Sequence, residues 1–215
     1  MKRTPAASLA MASCFYAVGV SQAELSIFTD RSAWESAVGQ FQTEDFNSIT
    51  TDTEIPADGL SFDALTISHE GSFNQPPLID LLPYEYSPGS GDIDGSARVN
   101  IAGMFSGASM TIEFDTPVIA AGFDTVNYDV GDEEVEAFVG VTSIGSFPEL
   151  RDQTGFIGVI STGELFESIV IRHTPGDNDT FNAFDNVSFV VPEPSTVLLG
   201  AFFAFAVGSR SRRSN

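Results

Sequence analysis

Residues 110–114 of the chain read Met110-Thr111-Ile112-Glu113-Phe114, with apolar and polar side chains in strict alternation. Successive side chains of a β-strand point to opposite faces of its sheet, so this pattern predicts a strand with one buried and one solvated face. Strands of that kind are typical of antiparallel sheets that pack face to face. The stretch therefore predicts a β-sandwich, and the flanking sequence follows the same pattern.

Short stretches with this character recur on both sides, separated by turns rich in Gly, Pro, Asp and Asn. Strands are predicted within residues 27–28, 44–46, 59–68, 97–101, 110–114, 118–123, 135–141, 156–160, 168–172 and 184–190. Their spacing favours an all-β, antiparallel, jelly-roll-like sandwich over a fold built from βαβ units. Residues 74–95 form the one long irregular stretch, which is typical of a functional or mobile loop.

One short helix is predicted near the N-terminus, over residues 31–38. Thr29 or Asp30 can cap its first turn, and Gly39 ends it. Trp34 is the only tryptophan of the chain. We expect it to anchor the helix to the core rather than to stack on a sugar.

Residues 1–23 have the features of a secretory signal peptide: Lys2 and Arg3, an apolar stretch, and a small-x-small cleavage site that ends at Ala23. An alternative is a lipoprotein signal at Cys14, although the most apolar residues follow this cysteine rather than precede it. Cleavage after Ala23 leaves a body without cysteine. Its stability then depends on the core and on no disulfide.

The body, residues 24–190, is strongly acidic. It holds 29 of the 30 acidic residues but only four of the nine basic ones, a net charge of −25. Such a body has no basic surface for phosphate groups, so nucleic acid is excluded as a partner. Anionic lipid should repel it as well. Its many Phe, Ile and Val residues argue for a folded domain rather than disorder.

The last 25 residues, 191–215, have a composition of their own. A proline-rich start precedes an uncharged apolar run at residues 197–208, which predicts a short helix, and a basic end at residues 210–213. The residues that define the two flanks are Pro192, Glu193 and Pro194, and then Arg210, Arg212 and Arg213. A run of this length is short of the roughly 20 residues that span a bilayer, so it suits a segment that is recognised and cut.

This tail resembles the PEP-CTERM sorting signal of Gram-negative bacteria. The resemblance implies that the N-terminal signal engages the export machinery and that an exosortase processes the tail. It also implies an intermediate tethered to the inner membrane, followed by release to the cell surface or the extracellular matrix. Asp185-Asn186-Val187-Ser188-Phe189 resembles the last strand of the β-rich passenger domains in such proteins. The resemblance brings no catalytic residues with it.

The chain lacks the common hydrolase signatures. It contains no Gly-x-Ser-x-Gly sequence, and His69-Glu70 is not followed by the second histidine of a His-Glu-x-x-His zinc motif. With so many acidic residues, pairs of carboxylates arise by chance and do not point to glycoside hydrolysis. We therefore expect a protein without catalysis.

Calcium is the metal that the sequence favours, because it prefers several carboxylate and carbonyl oxygens. Asp92 and Asp94 stand two residues apart in a glycine-rich loop. Asp185 lies in an apolar strand, where Glu44 or Asp45 would complete a site. The alternatives are solvated turn acids for the loop and a hydrogen-bonded buried carboxylate for Asp185.

Tyr84 and Tyr86, in the long irregular stretch, offer faces on which a sugar can stack. The alternative is that they cover the rim of the sandwich. The sequence as a whole predicts a non-catalytic protein of the cell surface or matrix. Its alternative is a carbohydrate-binding module, calcium-dependent or not, that acts on extracellular polysaccharide.

Overall fold

The computed structural model describes residues 24–81, 93–94, 97–128, 135–150, 153–173 and 180–192. These ranges contain the helix α1 (Arg31–Val38) and fourteen strands. The strands are β1 (Leu25–Phe28), β2 (Gln42–Glu44), β3 (Thr53–Glu54), β4 (Leu60–Ser61), β5 (Leu65–Glu70), β6 (Leu78–Asp80), β7 (Arg98–Met104), β8 (Ser109–Val118), β9 (Ala120–Asn127), β10 (Val135–Val139), β11 (Thr142–Ser146), β12 (Thr154–Ser161), β13 (Phe166–His173) and β14 (Thr180–Val190). No helix in the described ranges has the length and apolar character that a membrane crossing requires. The predicted signal peptide and the predicted tail helix lie outside those ranges.

The strands form two sheets, and every pairing is antiparallel. The first sheet has the order β1-β12-β9-β14-β7-β6-β3, with β2 also paired to β14; the second has the order β11-β10-β13-β8-β5-β4. From β7 to β14 the chain passes between the sheets so that β12-β9-β14-β7 faces β11-β10-β13-β8. Eight strands in this order are the arrangement of a jelly roll. The predicted all-β sandwich with one short helix is confirmed.

Several strand predictions were wrong in detail, and the strand predicted at residues 44–46 shares only Glu44 with β2 (Gln42–Glu44). Residues 59–68 are not one strand but the hairpin β4–β5, in which Leu60 pairs with Ile67 and the Phe62 N–H donates to the Leu65 carbonyl. The irregular stretch of residues 74–95 begins with a real strand, β6, which pairs with β7. β3 and β6 were not predicted because strands of two and three residues are too short to show an alternation.

The main core fills the space between the two sheets, as the alternation predicts. Its centre is formed by fully buried aliphatic side chains such as Ile112 and Ile171 and by packed aromatic rings. The ring centroids of Phe123 and Phe184 are 5.6 Å apart, and Phe46 meets Phe184 at 6.5 Å. Phe46, Phe123 and Phe184 come from the N-terminal, middle and C-terminal parts of the body, so the core joins all three.

Helix α1 covers the outer face of the first sheet. Its N-cap is Asp30, whose Oδ1 accepts from the Ala33 N–H at 2.7 Å, and Gly39 ends it at a φ of 77°. Trp34 is fully buried, as predicted, and its Nε1–H donates to the Val159 carbonyl at 3.3 Å. A Cβ on Gly158 would lie 2.7 Å from Cδ1 of Trp34, so glycine is what lets the indole sit this close to the sheet.

Candidate functional site

A β-bulge in β14 is the structural centre of the candidate site. The pairing of β14 with β9 shifts between Asp185 and Ser188, and Asn186 has a φ of 52°. On its other side, β14 pairs with β7 before the bulge and with β2 after it. Asparagine is one of the few residues that adopt this left-handed conformation readily, and bulges often re-aim side chains next to functional sites.

Asn186 connects three parts of the chain through its side-chain amide and backbone. Its Nδ2 donates to Oδ2 of Asp94 and to Oδ2 of Asp124, both at 3.1 Å. Its backbone N–H donates to Oδ1 of Asp185 at 2.6 Å. The bulge thereby holds β9 and the end of the long irregular stretch in fixed positions.

Arg31, the first residue of α1, completes this network. Its Nε donates to Oδ1 of Asp124 at 2.8 Å, its Nη2 to the Asn186 carbonyl at 2.9 Å and its Nη1 to Oγ of Ser188 at 3.1 Å. The guanidinium carbon also lies 4.9 Å from the centre of the Phe156 ring. Charge-assisted bonds in this partly buried setting are stronger than bonds between neutral groups, so Arg31 fixes the start of the helix to the sheet.

Beside this network lies a polar cleft of about 290 Å³. It is lined by Thr29, Asp30, Arg31, Ile93, Asp124, Thr154, Gly155 and Phe156. Thr29, Asp30 and Thr154 are exposed. Ile93 comes from the same long stretch as Tyr84 and Tyr86, which lie outside the described residues. The cleft thus offers hydroxyl and carboxylate groups on a rigid base to a small polar ligand.

The structure does not bring Asp185 and Glu44 together, contrary to the predicted calcium arrangement. Glu44 pairs with Val187, whose side chain lies in the core between the sheets. Asp185 pairs with Asp124, which faces outward to Arg31. The two predicted ligands therefore lie on opposite faces of the first sheet. Asp45 is exposed, and its Oδ1 accepts from the Asn47 N–H at 3.1 Å.

Within the described ranges, no group of three or more His, Cys, Asp or Glu side chains is arranged to hold a metal ion. Of the two loop acids, Asp94 belongs to the Asn186 network, whereas Asp92 lies outside the described residues. A calcium site that uses Asp92 stays a prediction.

A second cleft, of about 490 Å³, surrounds Glu44. Burial raises the pKa of the Glu44 carboxyl above its ordinary value of 4.5. The hydrogen bond from the Phe46 N–H lowers this pKa in part, whereas the nearby carboxylates of Asp45 and Asp63 raise it further. The Phe46 N–H donates to Oε1 of Glu44 at 2.9 Å. The second cleft is thus strongly acidic, with Asp45 and Asp63 in its lining.

A third cleft, of about 670 Å³, lies where the chain leaves β14. Pro192, the first residue of the predicted sorting motif, is part of its lining. Glu193, Pro194 and the three arginines Arg210, Arg212 and Arg213 lie outside the described residues.

The sequence did not predict that Arg31, Asp124 and Asn186 form one network. Two signals pointed to them. Asp124 is the one charged residue of β9, which is otherwise buried, and a carboxylate there needs a partner as Asp185 does. The core residues Phe184, Val187 and Phe189 are spaced by three and then by two, which breaks the alternation at the bulge.

No protein-family model matches this chain, and no curated protein matches it in sequence. Among solved structures it is similar to the K2 cleaved adhesin domain of Lys-gingipain, with 15% identity, 71% of this chain and 100% of that chain covered, and a TM-score of 0.41. It is also similar to GH31 CBM32-2 bound to GalNAc, with 16% identity, 60% of this chain and 99% of that chain covered, and a TM-score of 0.31. Both TM-scores are below 0.5, so the jelly-roll assignment rests on the strand order of this chain itself.

Proposed function

We propose that this chain is an exported, non-catalytic module that binds extracellular polysaccharide at the cell surface. The observation that carries the proposal is the polar cleft at Thr29, Asp30 and Thr154, whose floor is held rigid by the Arg31–Asp124–Asn186 network. A site that is already ordered before binding loses little conformational freedom when the ligand arrives.

The chemistry of the cleft suits sugar hydroxyls. Carboxylate oxygens accept hydrogen bonds from them, and threonine hydroxyls both donate and accept. The volume of about 290 Å³ suits one or two sugar units rather than a folded partner. Because the body carries a net charge of −25, we propose a neutral polysaccharide rather than an acidic one.

The long stretch that ends at Ile93 and Asp94 supports the same proposal. Ile93 lines the cleft, and Asp94 accepts from Asn186. Tyr84 and Tyr86 precede Ile93 by nine and seven residues, and we propose that they supply the stacking faces that sugar binding commonly uses.

Affinity electrophoresis tests the proposal, with the full chain run in native gels that contain a neutral β-glucan, a neutral galactan or acidic alginate. We expect one of the neutral polymers to retard the protein. Thr29→Tyr combined with Thr154→Tyr, which fills the cleft, should abolish the retardation, whereas Thr142→Tyr on the exposed edge strand β11 should not. Retardation by alginate alone, by no polymer, or equally for all variants would contradict the proposal. The same gels with calcium or with a chelator show whether binding needs the metal.

We further propose that the tail sorts this module to the surface. The described part of the chain supports this in one respect: β14 ends at Val190, so only Val191 separates the sandwich from Pro192. A processing enzyme that recognises Pro192-Glu193-Pro194 would work directly at the edge of the folded domain.

A further inference from the structure

The cleft at the end of β14 differs from the other two in charge. Its nine lining residues are Gly39, Gln40, Phe41, Gln42, Ile119, Phe189, Val190, Val191 and Pro192, and none is ionisable. Each of the other clefts contains three ionisable side chains. In a body with 29 acidic residues, an uncharged cleft of about 670 Å³ is unusual. We call these nine residues the exit groove.

The exit groove also exposes an aromatic ring. Phe41 is 37% exposed, and its ring lies 5.5 Å from that of Trp34, centre to centre. Gln40 and Gln42 beside it are exposed and uncharged. The groove therefore presents one partly exposed aromatic ring within an uncharged polar rim.

The groove lies at the end of the sandwich where β1 begins and β14 ends. The Ile119 N–H donates to the Val190 carbonyl at 3.0 Å, and the Ser161 N–H donates to the Ile119 carbonyl at 2.8 Å. The Thr162 N–H donates in turn to the Glu24 carbonyl at 3.1 Å. This row of hydrogen bonds places residue 24 and residue 190 at the same end of the first sheet, three strands apart.

We propose that the exit groove is a membrane-docking surface that rests on the headgroup region of a zwitterionic bilayer while the tail is inserted. The inference rests on the sorting proposal. Six residues separate Val190 from Val197, where the apolar run begins. A fully extended chain spans at most about 3.6 Å per residue, so the groove stays within about 25 Å of the hydrocarbon core.

Charge decides which lipid suits this surface. An anionic bilayer repels a body with a net charge of −25, whereas a zwitterionic one does not. Because no residue in the lining of the groove is charged, the groove approaches lipid without removing a charged group from water. Phe41 supplies apolar area of the kind that interfacial proteins bury at the boundary between headgroups and acyl chains.

Site-directed fluorescence in phosphatidylcholine vesicles tests the inference with the full chain. The background is Cys14→Ser, which removes the only cysteine. An environment-sensitive probe is placed at Gln40→Cys in the groove, at Ser106→Cys in the turn at the opposite end, or at Ser209→Cys in the tail. We expect the probes at positions 40 and 209 to shift to shorter wavelength and to be quenched by spin-labelled lipid. The probe at position 106 should stay in water.

The probe in the tail separates the two proposals. If position 209 enters the lipid but position 40 behaves like position 106, the docking inference is wrong and the sorting proposal stands. If position 209 stays in water, tail insertion itself is wrong and the inference fails with it.

Two substitutions then test the residues directly. Phe41→Asp should weaken docking by about tenfold, as judged by the signal from position 40, because a ring that contacts lipid is replaced by a charge. Phe105→Asp is the matched control, since Phe105 is 38% exposed and lies in the turn between β7 and β8 at the opposite end. Gln40→Glu places a charge in the groove and leaves the contact between Phe41 and Trp34 in place. It should also weaken docking, as judged by a probe at Gln42→Cys. Equal effects of the substitutions at positions 41 and 105 would overturn the inference.

Discussion

Arg31 and Asp124 are 93 residues apart in sequence, and their side chains meet at 2.8 Å on the outer face of the first sheet. The two side chains are 25% and 18% exposed, so solvent screens this pair less than a surface pair. Arg31 also bonds the Asn186 carbonyl and the Ser188 hydroxyl. One side chain therefore links the helix, the bulge and the central strands.

Replacing Arg31 should destabilise the fold. Arg31→Met leaves Asp124 partly buried without its cation and the Asn186 carbonyl without this donor, so we expect a loss of about 1–3 kcal/mol in the free energy of unfolding. Urea unfolding followed by circular dichroism measures it. Arg172→Met is the control, because exposed Arg172 contacts only the Phe138 ring face at 5.3 Å among its described interactions. Similar small losses for both variants would show that the Arg31 network adds little.

Gly158 should not tolerate a side chain. The Cβ of Gly158→Ala would lie 2.7 Å from Cδ1 of Trp34 and 2.5 Å from Cε1 of Phe156. Overpacking of this kind costs about 1–3 kcal/mol. The loss should shrink in a Trp34→Ala background, where the indole is gone, and a double-mutant cycle measures the coupling. If the loss is the same in both backgrounds, the contact with Trp34 is not its cause.

The Glu44 carboxyl should make stability depend on pH. Burial raises its pKa in the folded state above the ordinary value of 4.5, so the folded protein holds this proton more tightly than the unfolded chain. The stabilisation from this proton is fully present below the unfolded pKa and is lost as the pH rises through the folded one. Glu44→Gln should therefore be more stable than the wild type at pH 7, and the difference should vanish near pH 4.

Urea unfolding at the two pH values checks this expectation. Glu54→Gln, at an exposed position on β3, is the control for the general removal of one negative charge. An equal gain for both variants would trace the effect to net charge rather than to the burial of Glu44.

Alanine at positions 192–194 should block processing without blocking export. The N-terminal signal is expected to drive export, while Pro192-Glu193-Pro194 is the proposed recognition motif. In cells that contain an exosortase, the variant should accumulate as a longer form in the membrane fraction. Mass spectrometry of the C-terminus decides the matter: surface protein that still ends at Asn215 in the native host would leave the tail as a simple anchor.

The sequence predicted those features that local chemistry controls. Asp30 and Gly39 bound the helix, and both act through groups within a few residues. The alternation at residues 110–114 reappears along β8, where Met110, Ile112 and Phe114 are buried. These elements could be placed because their signals do not depend on a distant partner.

The site could not be predicted in the same way. Asp185 was predicted to need a partner, and Glu44 or Asp45 was proposed, but the strand register places Glu44 on the opposite face of the sheet. The bulge at Asn186 adds one residue to β14, and this places Val187 and Glu44 on the inner face. Which residues then gather on the outer face depends on strand pairings between distant parts of the chain, and no local pattern encodes those.

The position of β14 has a consequence for how the protein is made. This strand is the last of the body to leave the ribosome, yet it lies inside the first sheet between β9 and β7 and also pairs with β2. Until it emerges, β9 and β7 each lack a neighbour and the aromatic core lacks Phe184, so the nascent chain cannot close its fold early. A chain that stays open until its final strand arrives remains threadable through a translocation channel. This strand order suits the export that we propose, in which the chain would cross the membrane unfolded and fold afterwards.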